Sequence, residues 1–391
     1  MKKFLRFPLY VALAATMVGG FTACSDDDDS IDDGSAAKDL LFSQIASQYV
    51  NNTVNVTYKS LADSTEILVE KLKALQSNKT DANVAAACQV FLQARAQWEK
   101  SEAFLFGAAT DFGIDPHIDS WPLDLDGLQT ALKNTAQLEA MRGEDGDVYA
   151  GEKLGNSLLG FHGIEYIIFK DGSAKPQAEI TELQLVYAIA VAGDLRNRCY
   201  QLELAWAGEG NVEDARFEKV NDDLELPITV NGGSYSYAEN MSNSGKAGST
   251  YSSWTSAMEA IIDGCKTIAD EVGTSKIGKP HNGEDVNYIE SPYSHKSILD
   301  FYDNIISIQN AYMGGIEGKR NEAYSLHTYV KGVDAALDTR VTTAITTALS
   351  KIKAMKAPFV TYYKDASAGE AITACKELDA VLSDVKTALR K

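Results

Sequence analysis

Residues 182–206 read ELQLVYAIAVAGDLRNRCYQLELAW, and this stretch decides the fold class of the chain. Its apolar side chains recur every three to five positions, at Leu183, Val186, Ala190, Leu195, Cys199 and Leu202. Side chains at such intervals line one face of an α-helix. The stretch therefore predicts a long helix that buries one face in a protein core.

The same helical repeat continues along the chain in both directions. It predicts further helices at 39–75, 80–107, 128–141, 152–169, 252–268, 294–312, 325–330, 337–355 and 371–389. Patterns typical of strands are nearly absent from the sequence. The sequence therefore predicts an all-α fold made of two helical bundles in tandem.

Residues 209–250 interrupt this pattern, because glycine, asparagine and serine dominate there. The segment 229–234, TVNGGS, predicts a small hairpin, and the residues around Asn243 predict a loop. We interpret 209–250 as an irregular crossover between an N-terminal bundle at 38–208 and a C-terminal bundle at 251–391. The length of the chain is ample for a large core and suggests two domains.

The first 23 residues have the pattern of a cleaved export signal. A basic start precedes an apolar run that is shorter than the roughly 20 residues of a membrane-spanning helix. The run ends in the string FTAC, which resembles the lipobox of bacterial lipoproteins, although Phe21 stands where leucine is usual. The sequence therefore predicts a lipoprotein signal peptide at 1–23 and lipidation of Cys24. Ordinary secretion with a free Cys24 is the alternative.

An acidic run follows this cysteine directly, with Ser25 and then four aspartates at 26–29. Such a run is solvated and kept disordered by self-repulsion, so we interpret 24–37 as an acidic, lipidated tether. A serine and several acids after the cysteine also resemble the signal that sends lipoproteins of Bacteroidota to the cell surface. We therefore expect an outer-membrane lipoprotein that is exposed at the cell surface. A solvated spacer that carries no sorting signal is the alternative.

The charge balance of the chain excludes one class of partner. Removal of the first 23 residues takes away three cations and no acids, so the formal net charge goes from −19 to −22. A surface of this kind repels nucleic acid and anionic lipid headgroups, and nucleic-acid binding is excluded. The four cysteines of the folded part, Cys88, Cys199, Cys265 and Cys375, show no metal-binding spacing. Two roles remain open for these cysteines: partners in disulfides, or small buried residues of the core.

The most specific group of chemically active residues is Gly160-Phe161-His162-Gly163-Ile164-Glu165, within a predicted helix. Side chains three residues apart rise from one helix face, so an imidazole and a carboxylate can converge on one ion. This pair suits iron, zinc or copper better than calcium. Each glycine costs a helix about 1 kcal/mol, which either close helix packing or room for a ligand would explain. The alternative is a His–Glu pair whose members satisfy each other in a bundle core.

This motif and four other segments resemble the imelysin family, also called insulin-cleaving membrane peptidase-like proteins. His162 and Glu165 fall on the last two fixed positions of the family's G-x-H-x-x-E motif. The other segments, in the family's order, are RAQWEKSEAF at 95–104, IDSWP at 118–122, ESPYSH at 290–295, and the helix through Asp300, Asn304, Asn310 and Tyr312-Met313-Gly314-Gly315. The resemblance covers nearly all of the mature chain, and the joint order of the segments is specific.

The resemblance implies an all-helical protein of two bundle-like halves, a site near the G-x-H-x-x-E helix, and a role in iron uptake at the envelope. The family name also records a peptidase activity, which the residues support poorly. Zinc peptidases of the H-E-x-x-H type need a second histidine, and Tyr166 follows Glu165 where an inverted motif would need it. A hydrolytic site would need a third ligand from elsewhere, such as Glu102, His117 or Asp119.

We therefore predict a metal site formed by His162 and Glu165, with Glu102 and Asp119 as further ligands or as support for the ligands. Glu102 has an alternative as an ion-pair partner of Arg95 or Lys100. Asp119 has an alternative as the cap of the Trp121-Pro122 turn.

Two residues of the second half are weaker candidates. Ser294 stands where a helix should begin and is expected as its N-cap. His295 faces the site if the two halves close over a cleft.

The leading hypothesis is a lipid-anchored protein that binds a metal ion, iron or zinc, or an iron-bearing ligand for uptake. It would pass its cargo to an outer-membrane transport partner rather than transform it. A zinc-dependent peptidase that uses the same motif is the rival hypothesis. The third is a metal-free module that recognises another protein through its acidic surface.

Overall fold

The computed structural model describes residues 33–391. The predicted signal peptide, Cys24 and the first part of the predicted tether lie outside these residues. The first helix begins at Asp33, so residues 33–37, the last part of the predicted tether, are helical. An aspartate at a helix N-terminus and the helix-favouring Ala36 and Ala37 account for this early start.

The first half of the chain confirms the helical prediction and contains the long helix expected at 182–206. Thr181 and Gln184 form a reciprocal capping box at the start of that helix. The helices are α1 (Asp33–Tyr49), α2 (Asn55–Ser77), α3 (Asp81–Glu99), α4 (Ala108–Asp111), α5 (Ile114–Ile118), α6 (Leu125–Ala131), α7 (Thr135–Met141), α8 (Gly146–Lys153), α9 (Gly160–Ile168) and α10 (Glu182–Ala207).

The remainder of the chain is also helical, including part of the predicted crossover. Its helices are α11 (Asp214–Phe217), α12 (Tyr237–Ser242), α13 (Trp254–Glu271), α14 (Gly278–Asn282), α15 (Ser297–Met313), α16 (Leu326–Val333), α17 (Ala335–Lys353), α18 (Phe359–Tyr362) and α19 (Ala366–Leu389). Short 3₁₀ turns lie at Glu102–Phe104, Asn156–Leu158, Gln177–Glu179, Val230–Gly232 and Glu322–Tyr324. Segments of π-helix lie at Val50–Val54, Glu218–Asp223 and Val272–Lys276.

The predicted helix at 152–169 is wrong in its first half, because α8 ends at Lys153 and α9 begins only at Gly160. Between these helices Leu154, Gly155 and Leu159 have extended backbone. Gly160 then opens α9 with a φ of +66°, which a continuous right-handed helix does not allow. The G-x-H-x-x-E motif therefore forms the first turns of a short helix.

The hairpin predicted at 229–234 is also wrong. That segment forms a 3₁₀ turn, and the amide of Val230 donates to the carbonyl of Tyr235. In the described residues a two-stranded antiparallel sheet lies instead at β1 (Phe169–Lys170) and β2 (Ser173–Ala174). Asp171 and Gly172 join the strands with φ angles of 50° and 79°, as a tight Asp-Gly hairpin turn requires.

The helices of both halves share one continuous apolar core. Helix α10 packs against α2 and α8 in the first half, and α19 packs against α13 and α17 in the second. Helix α1 crosses to the second half, where the ring centroid of Phe42 lies 4.7 Å from that of Tyr329. Helix α3 also packs against α15, and this contact brings the family-like segments of both halves together.

Two further observations concern the cysteines and the hydropathy of the helices. The four cysteines of residues 33–391 are free and buried, as small core residues are. Over the same residues, none of the helices has both the length and the apolar character that a membrane span requires.

Candidate functional site

Charged side chains are buried together where α3, α9, α15 and the π-helical segment Val272–Lys276 approach one another. No member of this group has more than 7% of its surface exposed. We call the group the buried charge cluster, and its members are Arg95, Glu99, Glu102, Asp119, His162, Glu165, Lys276, Glu290 and Asp300. Ions are buried in a protein only with partners, because each loses its hydration.

Asp119 connects the parts of the buried charge cluster. One carboxylate oxygen contacts the guanidinium of Arg95 and lies 3.0 Å from Nε2 of His162, and the other accepts from the Trp98 indole at 2.7 Å. Burial favours the neutral acid, but Arg95 and then His162 outweigh it and hold the pKa of Asp119 well below its usual range. These contacts show that its carboxylate is not devoted to capping the Trp121-Pro122 turn.

His162 and Glu165 lie on one face of α9, as their spacing predicts. Nδ1 of His162 lies 3.5 Å from Oε2 of Glu165. Burial lowers the pKa of His162, but Asp119 and Glu165 outweigh it and raise the pKa to about 9. The imidazole is therefore positively charged at neutral pH and would have to lose a proton before binding a metal.

The carboxylate of Glu165 also holds the loop that precedes α15. Its Oε1 accepts from the backbone amides of Ser294 at 2.7 Å and Tyr293 at 3.2 Å. Since α15 begins at Ser297, the predicted role of Ser294 as N-cap is wrong. The motif thus joins α9 of the first half to the second half through a charge-assisted contact.

Two basic side chains neutralise part of the acidic charge. Nη2 of Arg95 lies 2.5 Å from both Glu99 and Glu290. Nζ of Lys276 lies 3.2 Å from Glu290, 3.6 Å from Glu102 and 3.7 Å from Glu99. Glu102 therefore pairs with Lys276, and the predicted partners Arg95 and Lys100 are wrong. Even with His162 charged, the six carboxyl groups of the buried charge cluster outnumber its three basic groups.

Protons compensate part of this excess. Burial raises the pKa of Glu290 to about 7, although Lys276 opposes the shift. Burial also raises the pKa of Glu102 and that of Asp300 well above the usual range of a carboxyl group. Around neutral pH some acids of the buried charge cluster are therefore protonated, and a bound cation would displace these protons.

A cleft of about 210 Å³ opens beside the buried charge cluster. Its polar lining includes Glu102, Asp115, Asp119, Glu271 and Lys276, together with the ring of Trp121. Burial, reinforced by Asp119, raises the pKa of Asp115 to about 7. His162 and Glu165 do not line this cleft, and they connect to it through Asp119.

The two motif glycines are explained by close packing. A Cβ on Gly160 would lie 1.9 Å from the carbonyl oxygen of Ile118, and one on Gly163 would lie 2.3 Å from the hydroxyl of Tyr187. Of the two explanations that the sequence leaves open, the structure therefore supports backbone approach rather than room for a ligand. This close approach lies directly beside Asp119, which follows Ile118 in the chain.

Two other predicted residues lie apart from the cleft. His295 packs against the β1–β2 turn, where its Nδ1 would be 2.6 Å from a Cβ on Gly172, so its predicted place in a cleft is wrong. Nε2 of His117 lies 2.7 Å from Oδ2 of Asp194 on α10, and this pair removes His117 from the candidate ligands.

Within residues 33–391, two sets of side chains have donor atoms close enough to hold one metal ion. They are Asp119 with His162 and Glu290, and Glu99 with Glu102 and Asp119, each set within 4.8 Å. Oε2 of Glu290 is buried without a hydrogen-bond partner, which points to unfilled coordination at that atom. Oε1 of Glu99 and Nε2 of His162 also lack a well-directed hydrogen bond, but they lie 2.5 Å from Arg95 and 3.0 Å from Asp119. Glu165 belongs to neither set.

The sequence reasoning missed Glu99, Lys276 and Glu290 as members of the site. Glu99 could have been found, since Arg95, Glu99 and Glu102 recur at helical spacing beside the apolar Phe91 and Trp98. Glu290 lies in a family-like segment but has no local pattern. Lys276 follows a polar stretch, and no pattern around it indicates burial.

Comparison with known proteins finds relatives over most of the chain. The family model for imelysin (Peptidase_M75) matches residues 55–385. Iron-regulated protein A of Synechococcus elongatus is 26% identical over 275 residues, which span 70% of this chain and 65% of that protein.

Solved structures share the fold as well. A crystal structure from Parabacteroides distasonis, of a candidate iron-regulated protein A precursor, has a TM-score of 0.76 and 28% identity over 90% of this chain and 95% of that one. An imelysin-like protein of Psychrobacter arcticum has a TM-score of 0.59 and 12% identity over 88% and 93% of the two chains. The imelysin model spans α3, α9 and α15, and therefore every residue of the buried charge cluster, so this chain belongs to the imelysin family.

Proposed function

We propose that this protein binds a multivalent metal cation, iron or zinc, at the buried charge cluster and serves in iron acquisition. The observation that carries the proposal is the excess of buried carboxyl groups around Asp119, next to a cleft that cations can enter. The relatives named as iron-regulated proteins support iron as the cargo. An iron-bearing ligand would be held in the same cleft through its metal.

The donor set fits such a cation. Asp119 belongs to both sets of neighbouring donors, and we propose it as the central ligand. Glu99 and Glu102 would complete the set nearest the cleft, and His162 and Glu290 the deeper one. Carboxylate oxygen with imidazole nitrogen suits iron, zinc and manganese. Oε2 of Glu290 offers a free lone pair, and His162 would offer one after it loses its proton. Glu165 would orient His162 rather than bind the metal.

Binding fits this geometry better than hydrolysis does. A peptidase needs a metal-bound water and a free base beside it. The carboxylate of Glu165 accepts two backbone amides and is therefore not free to act as that base. We therefore propose a carrier rather than a zinc peptidase. Metal-dependent cleavage of peptides that disappears in His162→Ala would support the peptidase instead.

Replacement of Asp119 tests the metal site directly. We expect the purified protein to bind one Fe²⁺ (without oxygen) or one Zn²⁺, and Asp119→Asn to weaken the binding about 10- to 100-fold or more. Calorimetric titration gives the affinity and the stoichiometry. Glu102→Gln should also weaken the binding, whereas Asp126→Asn, an exposed acid on α6, should not.

The proton content of the site adds a second readout to this titration. The affinity should rise from pH 6 to pH 8, because protons on Glu290, whose pKa is about 7, compete with the cation. Thermal unfolding shows whether each variant remains folded. Equal affinity in Asp119→Asn, Glu102→Gln and the unchanged protein would rule out the buried charge cluster as the metal site.

We further propose that lipid on Cys24 anchors the protein to the outer membrane at the cell surface, where an outer-membrane transport protein receives its cargo. The sequence at 21–29 supports this location. Cys24→Ala is expected to release the protein from the membrane fraction, whereas Ser25→Ala should leave it there. Antibody labelling of intact cells reports surface exposure. Retention of Cys24→Ala in the membrane would contradict the lipid anchor.

A further inference from the structure

The ammonium of Lys276 is placed as a bound cation would be. It has 1% of its surface exposed and lies 3.2–3.7 Å from carboxylates of Glu99, Glu102 and Glu290. Two of these acids belong to the donor set nearest the cleft. Lys276 also lies in the lining of the cleft, beside the donors Glu102 and Asp119, so its ammonium occupies space next to the donor atoms.

The contacts of Lys276 are loose for a buried ion pair. Among its three carboxylate contacts, the one to Glu290 is within the usual hydrogen-bond range, and those to Glu99 and Glu102 are longer. Its ammonium lies 5.9 Å from the ring centroid of Trp121, which also lines the cleft. A lysine has a long flexible stem, so the ammonium can move toward this ring without movement of the backbone.

The backbone at Lys276 is also unusual. The residue ends the π-helical segment Val272–Lys276, which continues α13 and precedes α14. Single π-helical turns inside helices are frequent at functional sites, because the extra residue redirects the side chains that follow. Here the π turn directs a lysine into the acids rather than leaving it on the helix surface.

We infer that Lys276 is a built-in competitor that occupies the cation position and selects multivalent over monovalent cations. This inference rests on the proposed metal function. An entering cation must displace the ammonium from Glu99, Glu102 and Glu290. A monovalent ion replaces one positive charge by one and gains no Coulomb energy, whereas a divalent or trivalent ion adds positive charge among acids that are in excess.

The displaced ammonium has a place to go within the cleft. Trp121 offers an aromatic face, and Asp115 and Glu271 offer carboxyl groups in the same lining. Lys276 therefore keeps favourable contacts while the carboxylates turn to the new cation. When the ammonium leaves, Glu102 and Glu99 become free to bind the metal. The ammonium itself remains in the cleft and is not released into solvent.

Removal of this ammonium tests the inference. Lys276→Met keeps the length of the side chain and removes its charge. We expect it to bind Zn²⁺ at least tenfold more tightly than the unchanged protein, in calorimetric titrations at constant pH. Lys279→Met, a lysine of α14 that lies over the ring of Tyr288, is the matched control and should leave the affinity unchanged.

Monovalent ions provide the second readout. KCl at about 150 mM, near the physiological ionic strength, should weaken Zn²⁺ binding by Lys276→Met. The same concentration of N-methylglucamine chloride should weaken it less, because that cation is too large for the site. The unchanged protein should respond equally to the two salts, because its ammonium already excludes K⁺. Lys276→Arg, which retains the charge, should keep the lower affinity.

The outcomes separate this inference from the proposed function. Zn²⁺ binding by the unchanged protein, with equal or weaker binding by Lys276→Met, would overturn the competitor role and leave the metal function standing. Absence of binding in both proteins would overturn both. Tighter binding in Lys276→Met, together with sensitivity to K⁺, would support the role of Lys276 in selectivity.

Discussion

Replacement of Arg95 by methionine is expected to lower the free energy of unfolding by roughly 3–5 kcal/mol, the usual cost of breaking a buried ion pair. Arg95 has 2% of its surface exposed, and its guanidinium contacts Asp119, Glu99 and Glu290. Burial opposes the charge of Arg95, but these acids hold its pKa well above the ordinary value. Methionine fills much of the same space, so the loss measures mainly the charge that is removed.

Urea unfolding followed by circular dichroism gives this free energy, and two controls define its origin. Arg142→Met removes an exposed guanidinium that pairs with Glu139 and Glu182, and it should have no measurable effect. Glu290→Gln added to Arg95→Met should recover part of the loss, because it removes one of the acids left unpaired. A cost below about 1 kcal/mol for Arg95→Met would show that water replaces the guanidinium without penalty.

The acids around Arg95 are also the proposed metal ligands, so stability and function are linked here. A cation bound at Asp119 would replace stored protons and strengthen the contact between α3 and the loop that carries Glu290. Ligands that bind the folded state stabilise it by mass action. Binding of the proposed cation would therefore strengthen the connection between the two halves of the chain.

The fold was predictable where a pattern was long and periodic. The repeat at 182–206 predicts α10 almost to the residue, because an apolar stripe over seven turns has no competing structure. The prediction of one helix at 152–169 was wrong, because the backbone leaves helical geometry between α8 and α9 and resumes at Gly160 with a positive φ. The close approach of Gly160 to Ile118, which is distant in sequence, has no local pattern. The pair Asp171-Gly172 is a strong hairpin signal that was overlooked, whereas the glycine-rich 229–234 suggested a hairpin that does not form.

The candidate site was predictable only in part, because local spacing does not reveal contacts between residues that are distant in sequence. The motif indicates His162 and Glu165 as neighbours, and the structure confirms that they share a helix face. Their contacts with Asp119 and with the amides at 293–294 depend on tertiary packing, which no local spacing reveals. Lys276 ends a π-helical segment, which has no strong sequence signature, and its contacts with the acids likewise depend on tertiary packing.

Replacement of Gly160 by alanine is expected to lower the free energy of unfolding by roughly 2–5 kcal/mol, the sum of left-handed strain of about 1–2 and overpacking of about 1–3. Its φ is +66°, and a Cβ would lie 1.9 Å from the backbone oxygen of Ile118. A backbone atom cannot move aside as a side chain does. Ile118 must therefore shift, and Asp119, the next residue, must shift with it. Metal binding should weaken together with stability.

Gly113→Ala is the matched control for this substitution. Gly113 has a φ of +62°, nearly the same as Gly160, but a Cβ there would meet no atom within 4 Å. Its free energy of unfolding should therefore fall only by the cost of the left-handed strain, about 1–2 kcal/mol. The metal affinity should remain unchanged. The difference between the two variants isolates the contact with Ile118. If both variants lost equal stability and both kept the metal affinity, the approach of Gly160 to Ile118 would not position Asp119.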